Sequence, residues 1–317
     1  MSERNAWVGT GIVLVLATAF ISGLSTFVNF YAVKGTSSDA FVTVRNGMVA
    51  AAFVPVAFFA TRSLRAPALR PVDWGRLVLI GLVGGAIPFL LFFHGLQIAT
   101  AAGGAATASF GYRTLFLWAT VFGIVVLHEK IHWRVALGAT LLLAGSVLML
   151  SLTSPIWTDG TAYVLAATVL WAAEYTLSKR TLRDLPSATV ALGRMGFGAI
   201  FLVGYLSLTT QWGAVSGFSG AQWEWVGISA ALLGAFVASF YPGLKRVDLG
   251  VASSALVLGF PITWVLAVVV QGAPFTLAQA AGVVAVVAGV GVVIGLVQLR
   301  DAWSFVRHLG HPQPDAL

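Results

Sequence analysis

Residues 250–298 read GVASSALVLGFPITWVLAVVVQGAPFTLAQAAGVVAVVAGVGVVIGLVQ, without one charged side chain and with a turn signal only at Gly272–Pro274. A helix needs about 20 apolar residues to cross the hydrocarbon of a bilayer, where its backbone groups must bond internally. The stretch therefore predicts two membrane-spanning helices, at 250–271 and 275–298.

The rest of the chain passes the same test repeatedly. Further spans are predicted near 7–33, 38–61, 74–98, 102–127, 134–152, 160–180, 187–210 and 223–244. Of the 317 residues 58% are hydrophobic and 9% charged, whereas a soluble domain has about 25% charged residues. The predicted fold class is an all-α integral membrane protein with ten transmembrane helices, placed as a multi-pass protein in a cell inner or plasma membrane.

The net charge of +7 comes from basic residues that collect on one predicted side of the membrane. The tails and even-numbered loops contain Arg4, Arg62, Arg65, Arg70, Arg76, Lys130, Arg134, Lys179, Arg180, Arg183, Lys245, Arg246, Arg300 and Arg307. The odd-numbered loops contain only Lys34. The positive-inside rule then places both termini in the cytoplasm, with anionic lipid as a partner and no nucleic acid. The absence of cysteine excludes disulfides and thiolate metal sites.

The two halves of the sequence resemble each other. A shift of 149 residues, followed by small deletions, pairs Arg45 with Arg194, Trp74 with Trp223, Gly85 with Gly234, Gly138 with Gly282 and Gly145 with Gly289. Because each repeat has an odd number of helices, the second copy is inverted, as in many transporters. The predicted domains are two inverted five-helix repeats, 1–152 and 156–298, followed by a short cytoplasmic tail, 299–317.

Several short motifs lie in these predicted helices and in the turn that joins two of them. They are Trp171-Ala172, the run Ala102–Ala106, the turn Leu127-His128-Glu129-Lys130-Ile131, the triplet Leu137-Gly138-Ala139, and the stretch from Gly250 through Pro261 to Gly289. Together they resemble the EamA family of the drug/metabolite transporter superfamily. The resemblance implies a transporter, not an enzyme, that exports or exchanges amino acids or similar small polar metabolites by alternating access. An exporter of cationic compounds with the same fold is the alternative.

Ionisable side chains at membrane depth cost roughly 2.5–3.5 kcal/mol each on insertion scales. The stretch Phe110–Phe116 lacks the proline that the family usually has near the middle of its fourth helix, and it contains Arg113 instead. We expect Arg113 to face the central cavity and bind a carboxylate or phosphate group through its planar guanidinium; alternatively it pairs with Glu174 or a backbone carbonyl. Glu174 is predicted to couple transport to protons, or else to pair with Lys179 or Arg194.

Further intramembrane residues are assigned roles from their positions. Arg45 and Arg194 occupy equivalent repeat positions near helix ends, which favours a structural role. His94 is a candidate for gating or proton relay, with plain packing as the alternative. The remaining predicted substrate-binding residues are Tyr112, Trp171, Tyr175, Trp264 and Asn29. The predicted partner is a small-molecule substrate, with no cofactor, and the protein is a monomer or homodimer.

The strongest rival interpretation is a membrane metalloprotease. His128-Glu129-Lys130-Ile131-His132 is a literal H-E-x-x-H, which in zinc proteases places two histidines on one helical face. A catalytic zinc commonly needs a third protein ligand, and only Asp248 lies in a suggestive setting. A passive membrane subunit is a third interpretation, which gives no reason for Arg113 at the bilayer centre. The sequence favours the transporter and no metal site.

Overall fold

The computed structural model describes residues 3–32, 36–63, 68–130, 133–151 and 155–295. Within these ranges the chain forms helices and no strand. The predicted tail 299–317 and His132 of the H-E-x-x-H pattern lie outside the described residues.

The helices follow the predicted spans closely, although several spans are divided. In chain order they are α1 (Glu3–Ala32), α2 (Ser38–Ser63), α3 (Pro71–Ile80), a π-helical segment (Gly81–Ala86), α4 (Ile87–Ala101), α5 (Ala105–Arg113), α6 (Leu115–Leu127), α7 (Trp133–Met149), α8 (Asp159–Thr181), α9 (Ser187–Leu208), α10 (Trp212–Ser216), α11 (Gly220–Arg246), α12 (Leu249–Leu256), α13 (Gly259–Gln271) and α14 (Leu277–Ile294). The fourth span begins at Ala105 instead of 102, because Gly103 turns the chain with a φ of +74°.

Eight helical segments of the described chain are long and apolar enough to cross a bilayer, and α7 is a shorter apolar helix. The predicted span 160–180 forms helix α8 but is not among the eight. Its charged residues Asp159, Glu174, Lys179 and Arg180 make it more polar. It packs against α4, α5 and α6, so protein surrounds much of its polar surface. The count of ten crossings and the cytoplasmic side of the termini stay predictions.

The two halves of the chain pack on each other through equivalent elements. α7 lies along α14, and the contacts of α1 with α11 mirror those of α8 with α4. Glycines allow the α7–α14 approach: a Cβ at Gly145 would come within 2.7 Å of the Gly282 carbonyl oxygen. A Cβ at Gly138 would lie 2.9 Å from the Gly289 carbonyl oxygen. Small residues at these positions let helix backbones approach closely.

The π-helical segment Gly81–Ala86 breaks this symmetry. It packs against α8 and α9, and a Cβ at Gly85 would lie 2.2 Å from the carbonyl oxygen of Arg194. The second repeat has a continuous α-helix, α11, around the equivalent Gly234, where the nearest atom to an added Cβ is Val49 Cγ1 at 4.0 Å. π segments are rare and occur often at functional sites. This one lies beside the buried charges described below.

The substitution Gly85→Ala should therefore destabilise the protein, by about 1–3 kcal/mol, because the added methyl group overpacks the contact with α9. The matched substitution Gly234→Ala makes only an ordinary van der Waals contact, with Val49 at 4.0 Å, and should stabilise by about 0.5–1 kcal/mol, through the lower flexibility of alanine in the unfolded chain. Thermal unfolding of the two purified variants in detergent measures both effects. Equal changes in melting temperature would contradict the asymmetry of the two contacts.

Candidate functional site

Two helix breaks meet near the middle of the molecule. α5 and α6 are the repeat equivalents of α12 and α13. The first residue of α12, Leu249, lies 144 positions after that of α5, Ala105, and the first residue of α13, Gly259, lies 144 positions after that of α6, Leu115. At each break a backbone N–H bonds three residues back, from Thr114 to Gly111 (3.1 Å) and from Leu258 to Ala255 (3.0 Å). The first break needs no proline, because Thr114 Oγ1 also donates to the Gly111 carbonyl, at 2.6 Å.

A cavity of about 40 Å³ lies between these breaks. Its lining residues are Ser22, Thr26, Tyr112, Arg113, Leu115, Phe116, Tyr175, Phe236, Ser253, Leu256, Val257 and Gly259. Several of them are repeat equivalents, such as Arg113 with Val257, and Thr26 with Tyr175. The cavity thus lies at the interface of the two repeats, and its one charged lining residue comes from the first.

Arg113 makes no hydrogen bond or ion pair among the described residues. Its guanidinium carbon lies 3.7 Å from the ring centre of Phe260, and its Nε is buried without a hydrogen-bond partner. The alternative partners expected from the sequence, Glu174 and a backbone carbonyl, do not contact it. A guanidinium at the edge of a cavity, with an N–H donor that has no partner, can bind an anion.

Aromatic side chains form one wall of the site. The Tyr112 ring lies 5.0 Å from Phe92 and 5.7 Å from Trp171. Trp171 lies behind Tyr112 and donates from Nε1 to the Gly84 carbonyl at 3.2 Å, within the π-helical segment. Tyr175 lines the cavity and packs on Phe240, with ring centres 4.6 Å apart. Three of the predicted binding residues are thus brought together around Arg113.

Glu174 is fully buried in a separate polar cluster. Its Oε1 accepts hydrogen bonds from Ser178 Oγ at 2.5 Å and Tyr241 OH at 2.7 Å. Its Oε2 faces Arg194 Nε at 3.6 Å. Of the two expected partners, Arg194 is therefore the one it pairs with. Lys179 instead donates to the carbonyls of Leu244 and Val247.

Arg45 is equally buried but contacts no carboxylate in the described chain. Its Nε donates to Asn46 Oδ1 at 3.1 Å, and Asn46 donates to the Gly85 carbonyl. Its guanidinium carbon lies 5.0 Å from the ring centre of Phe89, and that of Arg194 lies 5.8 Å from the same ring. Neither arginine reaches an interface by snorkelling, because both side chains are enclosed by protein. The two equivalent arginines therefore approach the same aromatic ring from the two repeats, and their structural role stays a prediction.

Three other predicted residues lie outside the cavity lining. His94 is exposed and packs edge-on against Tyr163, with ring centres 5.5 Å apart. Asn29 accepts a hydrogen bond from Ser229 Oγ at 2.5 Å and so links α1 to α11. Trp264 packs on Phe275. No pattern in the sequence marked Phe260, Ser22, Thr26 or Ser253 as site residues, whereas Ser178 could have been found because it lies one helical turn from Glu174.

The described part of the metalloprotease pattern, residues 128–130, is not helical. α6 ends at Leu127, and His128 adopts a left-handed φ of 58° as its C-cap. The Glu129 carboxylate accepts hydrogen bonds from the backbone N–H of Leu249, at 2.9 and 3.1 Å. Burial raises the pKa of Glu129, and the hydrogen bond from Leu249 opposes that shift. Among the described residues no three metal-binding side chains come together.

Comparisons with known proteins agree with this architecture. The sequence model of the EamA-like transporter family matches residues 9–151 and 159–295, one match in each half. The comparison with curated proteins gave no match. A solved protein crystal structure superposes with a TM-score of 0.70 at 19% identity, covering 92% of this chain and 98% of that chain. At that identity the likeness concerns the fold.

Proposed function

Because the chain belongs to the EamA-like transporter family, we propose that this multi-pass membrane protein transports small metabolites that carry a carboxylate, amino acids among them. Arg113 carries the proposal, as a cation that lines the cavity between the repeats without an acidic partner in the described chain. Transporters of inverted-repeat design bind their substrates at this interface, near the bilayer midplane.

The chemistry of Arg113 suits a carboxylate. A guanidinium presents its N–H donors in a planar fork that matches two carboxylate oxygens. Phe260 covers the guanidinium group at 3.7 Å and so restricts its orientation. The low dielectric of the membrane interior strengthens the attraction of opposite charges. Hydroxyl groups of Ser22, Thr26 and Tyr175, on the other cavity walls, can bond to further polar groups of the substrate.

Cavity size supports alternating access. A volume of about 40 Å³ accommodates roughly one water molecule, whereas ligand pockets usually measure about 300–1,000 Å³. Substrate binding therefore requires the repeats to move apart at one end. The helix breaks at Thr114 and Leu258 provide points where each half can bend. Export or exchange is the direction that we propose from the family.

Proton coupling is assigned to Glu174 in this proposal. The carboxylate is enclosed by Arg194, Ser178 and Tyr241, so taking up a proton would remove its attraction for Arg194. Tyr241 belongs to α11 and Arg194 to α9. Protonation thus changes the contacts among three helices, which is a means of linking a proton to a change of conformation.

An exporter of cationic compounds is the second candidate. Tyr112, Phe116, Tyr175 and Phe236 line the cavity, and aromatic faces attract cations. Against it, Arg113 repels a cation in the same small space. Glu174 is buried against Arg194 and is not among the residues that line the cavity.

A ligand screen distinguishes the candidates. Thermal unfolding of the purified protein should be measured with amino acids, organic anions, nucleosides and cationic dyes. A ligand at 100 times its Kd stabilises the folded state by about 2.7 kcal/mol, which shifts the melting temperature by a few degrees. We expect the hits to carry a carboxylate. Hits confined to cationic compounds would refute the carboxylate site and favour the second candidate.

A further inference from the structure

A hydrogen-bonded contact joins the repeats at one end of the molecule. Glu129, just after α6 in the first repeat, accepts from the backbone N–H groups of Leu249 and Gly250 in the second. These groups form the N-terminus of α12, where the helix dipole favours a negative charge. We call this contact the Glu129 cap, and the end of the molecule where it lies the Glu129 end.

The helices at the Glu129 end are packed closely. A Cβ at Gly123 of α6 would lie 2.9 Å from Glu129 Oε2, and one at Gly250 of α12 would lie 3.3 Å from Thr120 Oγ1. α12 continues from this contact to the cavity-lining residues Ser253, Leu256 and Val257. α12 therefore connects the Glu129 cap directly to the lining of the cavity.

The second repeat reproduces the backbone of this turn without the carboxylate. Gly272 ends α13 with a φ of +64°, matching the 58° of His128. Ala273 N–H donates to Ala267 O as Glu129 N–H donates to Gly123 O. Alanine has no side-chain acceptor, so Ala273, the equivalent of Glu129, cannot cap α5. At that end α13 is linked to α1 by a neutral hydrogen bond, from Gln271 to Tyr31 at 2.7 Å.

The helix packing around the cavity also differs between the two ends. α12 packs on α6, whereas α5 and α13, their equivalents, share no contact of that extent in the described chain. Ser253 on α12 is 1% exposed, while its equivalent on α5, Ser109, is partly exposed. The helices that line the central cavity thus pack more closely on the Glu129 side, although a separate cavity of about 360 Å³, lined in part by Glu129 and Gly250, lies next to the Glu129 cap.

We propose that Glu129 is a positioning residue for transport: the Glu129 cap holds the cavity closed at the Glu129 end and is released when the cavity opens there. The inference rests on the proposed function, because it assigns a role in alternating opening. The proposal gives the two ends different contacts, a carboxylate cap at the Glu129 end and a neutral hydrogen bond at the other, so removing the carboxylate shifts the equilibrium toward opening at the Glu129 end.

The absence of cysteine permits a direct test. Single variants Ser253→Cys and Ser109→Cys place one thiol on α12 and one at the equivalent position of α5, and a water-soluble maleimide reports access from water to each. In the otherwise unchanged protein we expect Ser109→Cys to react faster. Adding Glu129→Ala should speed labelling of Ser253→Cys at least about tenfold, because charge-assisted hydrogen bonds shift such equilibria by an order of magnitude. Labelling of Ser109→Cys should not rise.

Controls separate opening from general loosening. Asp248→Asn removes a neighbouring carboxylate that makes no cap hydrogen bond and should leave both rates within about twofold. Glu129→Gln keeps an acceptor oxygen and gives a second variant should Glu129→Ala fail to fold. Unchanged labelling of Ser253→Cys in both Glu129 variants, or equal acceleration at both thiols, would overturn the proposal. The assay needs no substrate, so its outcome is independent of the ligand screen.

Discussion

Replacing Arg113 with alanine is expected to abolish stabilisation by carboxylate ligands and to weaken their binding by about 30-fold or more. Truncating one partner of a buried, hydrogen-bonded charge pair costs about 2–5 kcal/mol. Arg113 is the one charged side chain of the cavity lining, so no neighbouring cation compensates for its loss. Isothermal titration with the best ligand from the screen measures the change in Kd.

Two further variants show whether the loss arises from the planar fork of Arg113. Arg113→Lys keeps the charge but loses the bidentate geometry, and we expect its affinity to be intermediate. Arg180→Ala removes the same charge from an exposed position on α8 and should leave Kd within about twofold. Ligand-free Arg113→Ala should change stability little, because the lost contact with Phe260 is offset by relief of a buried charge that has no acidic partner in the described chain. Full affinity in Arg113→Ala would exclude the carboxylate site.

Replacing Glu174 with methionine should cause the largest loss of stability, about 3–5 kcal/mol. The substitution leaves Arg194 buried without its carboxylate, and an uncompensated buried charge is costly. It also removes the acceptor of Ser178 and Tyr241. Thermal unfolding in detergent, compared with the parent protein, measures the loss.

A double-mutant cycle isolates the ion pair. Glu174→Met combined with Arg194→Met removes both charges and should recover most of the stability. Arg45→Met is the matched control, since Arg45 is the repeat equivalent of Arg194 and contacts no carboxylate in the described chain. It should cost clearly less than Arg194→Met. Additive losses in the double variant would show that the 3.6 Å contact contributes little.

Glu174→Gln addresses coupling separately from stability. The amide keeps a hydrogen-bond acceptor but cannot take up a proton in the physiological range. In liposomes we expect the variant to retain substrate exchange and to lose accumulation driven by a pH gradient. Gradient-driven accumulation equal to that of the parent protein would remove Glu174 from the coupling mechanism.

Local features of the sequence determined the elements of this fold. Long uncharged stretches such as 250–298 become helices because the bilayer leaves no other way to satisfy the backbone. Matched residues that are costly or bulky, Arg45 with Arg194 and Trp74 with Trp223, revealed the repeat before any contact was known. The position of Arg113, far from either predicted interface, already marked it as a candidate for substrate binding.

Only the tertiary structure decided which side chains meet. Glu174 pairs with Arg194 and Tyr241, while Asn29, His94 and Trp264 lie outside the cavity lining. Glu129, part of a protease-like pattern in the sequence, caps a helix of the other repeat. The reason is physical: lipid and protein interior are both apolar, so hydrophobicity does not mark the face of a membrane helix that turns inward. The rotation of each helix is set by close packing at glycines and by polar groups that find partners across the repeats, and neither is encoded in any one segment.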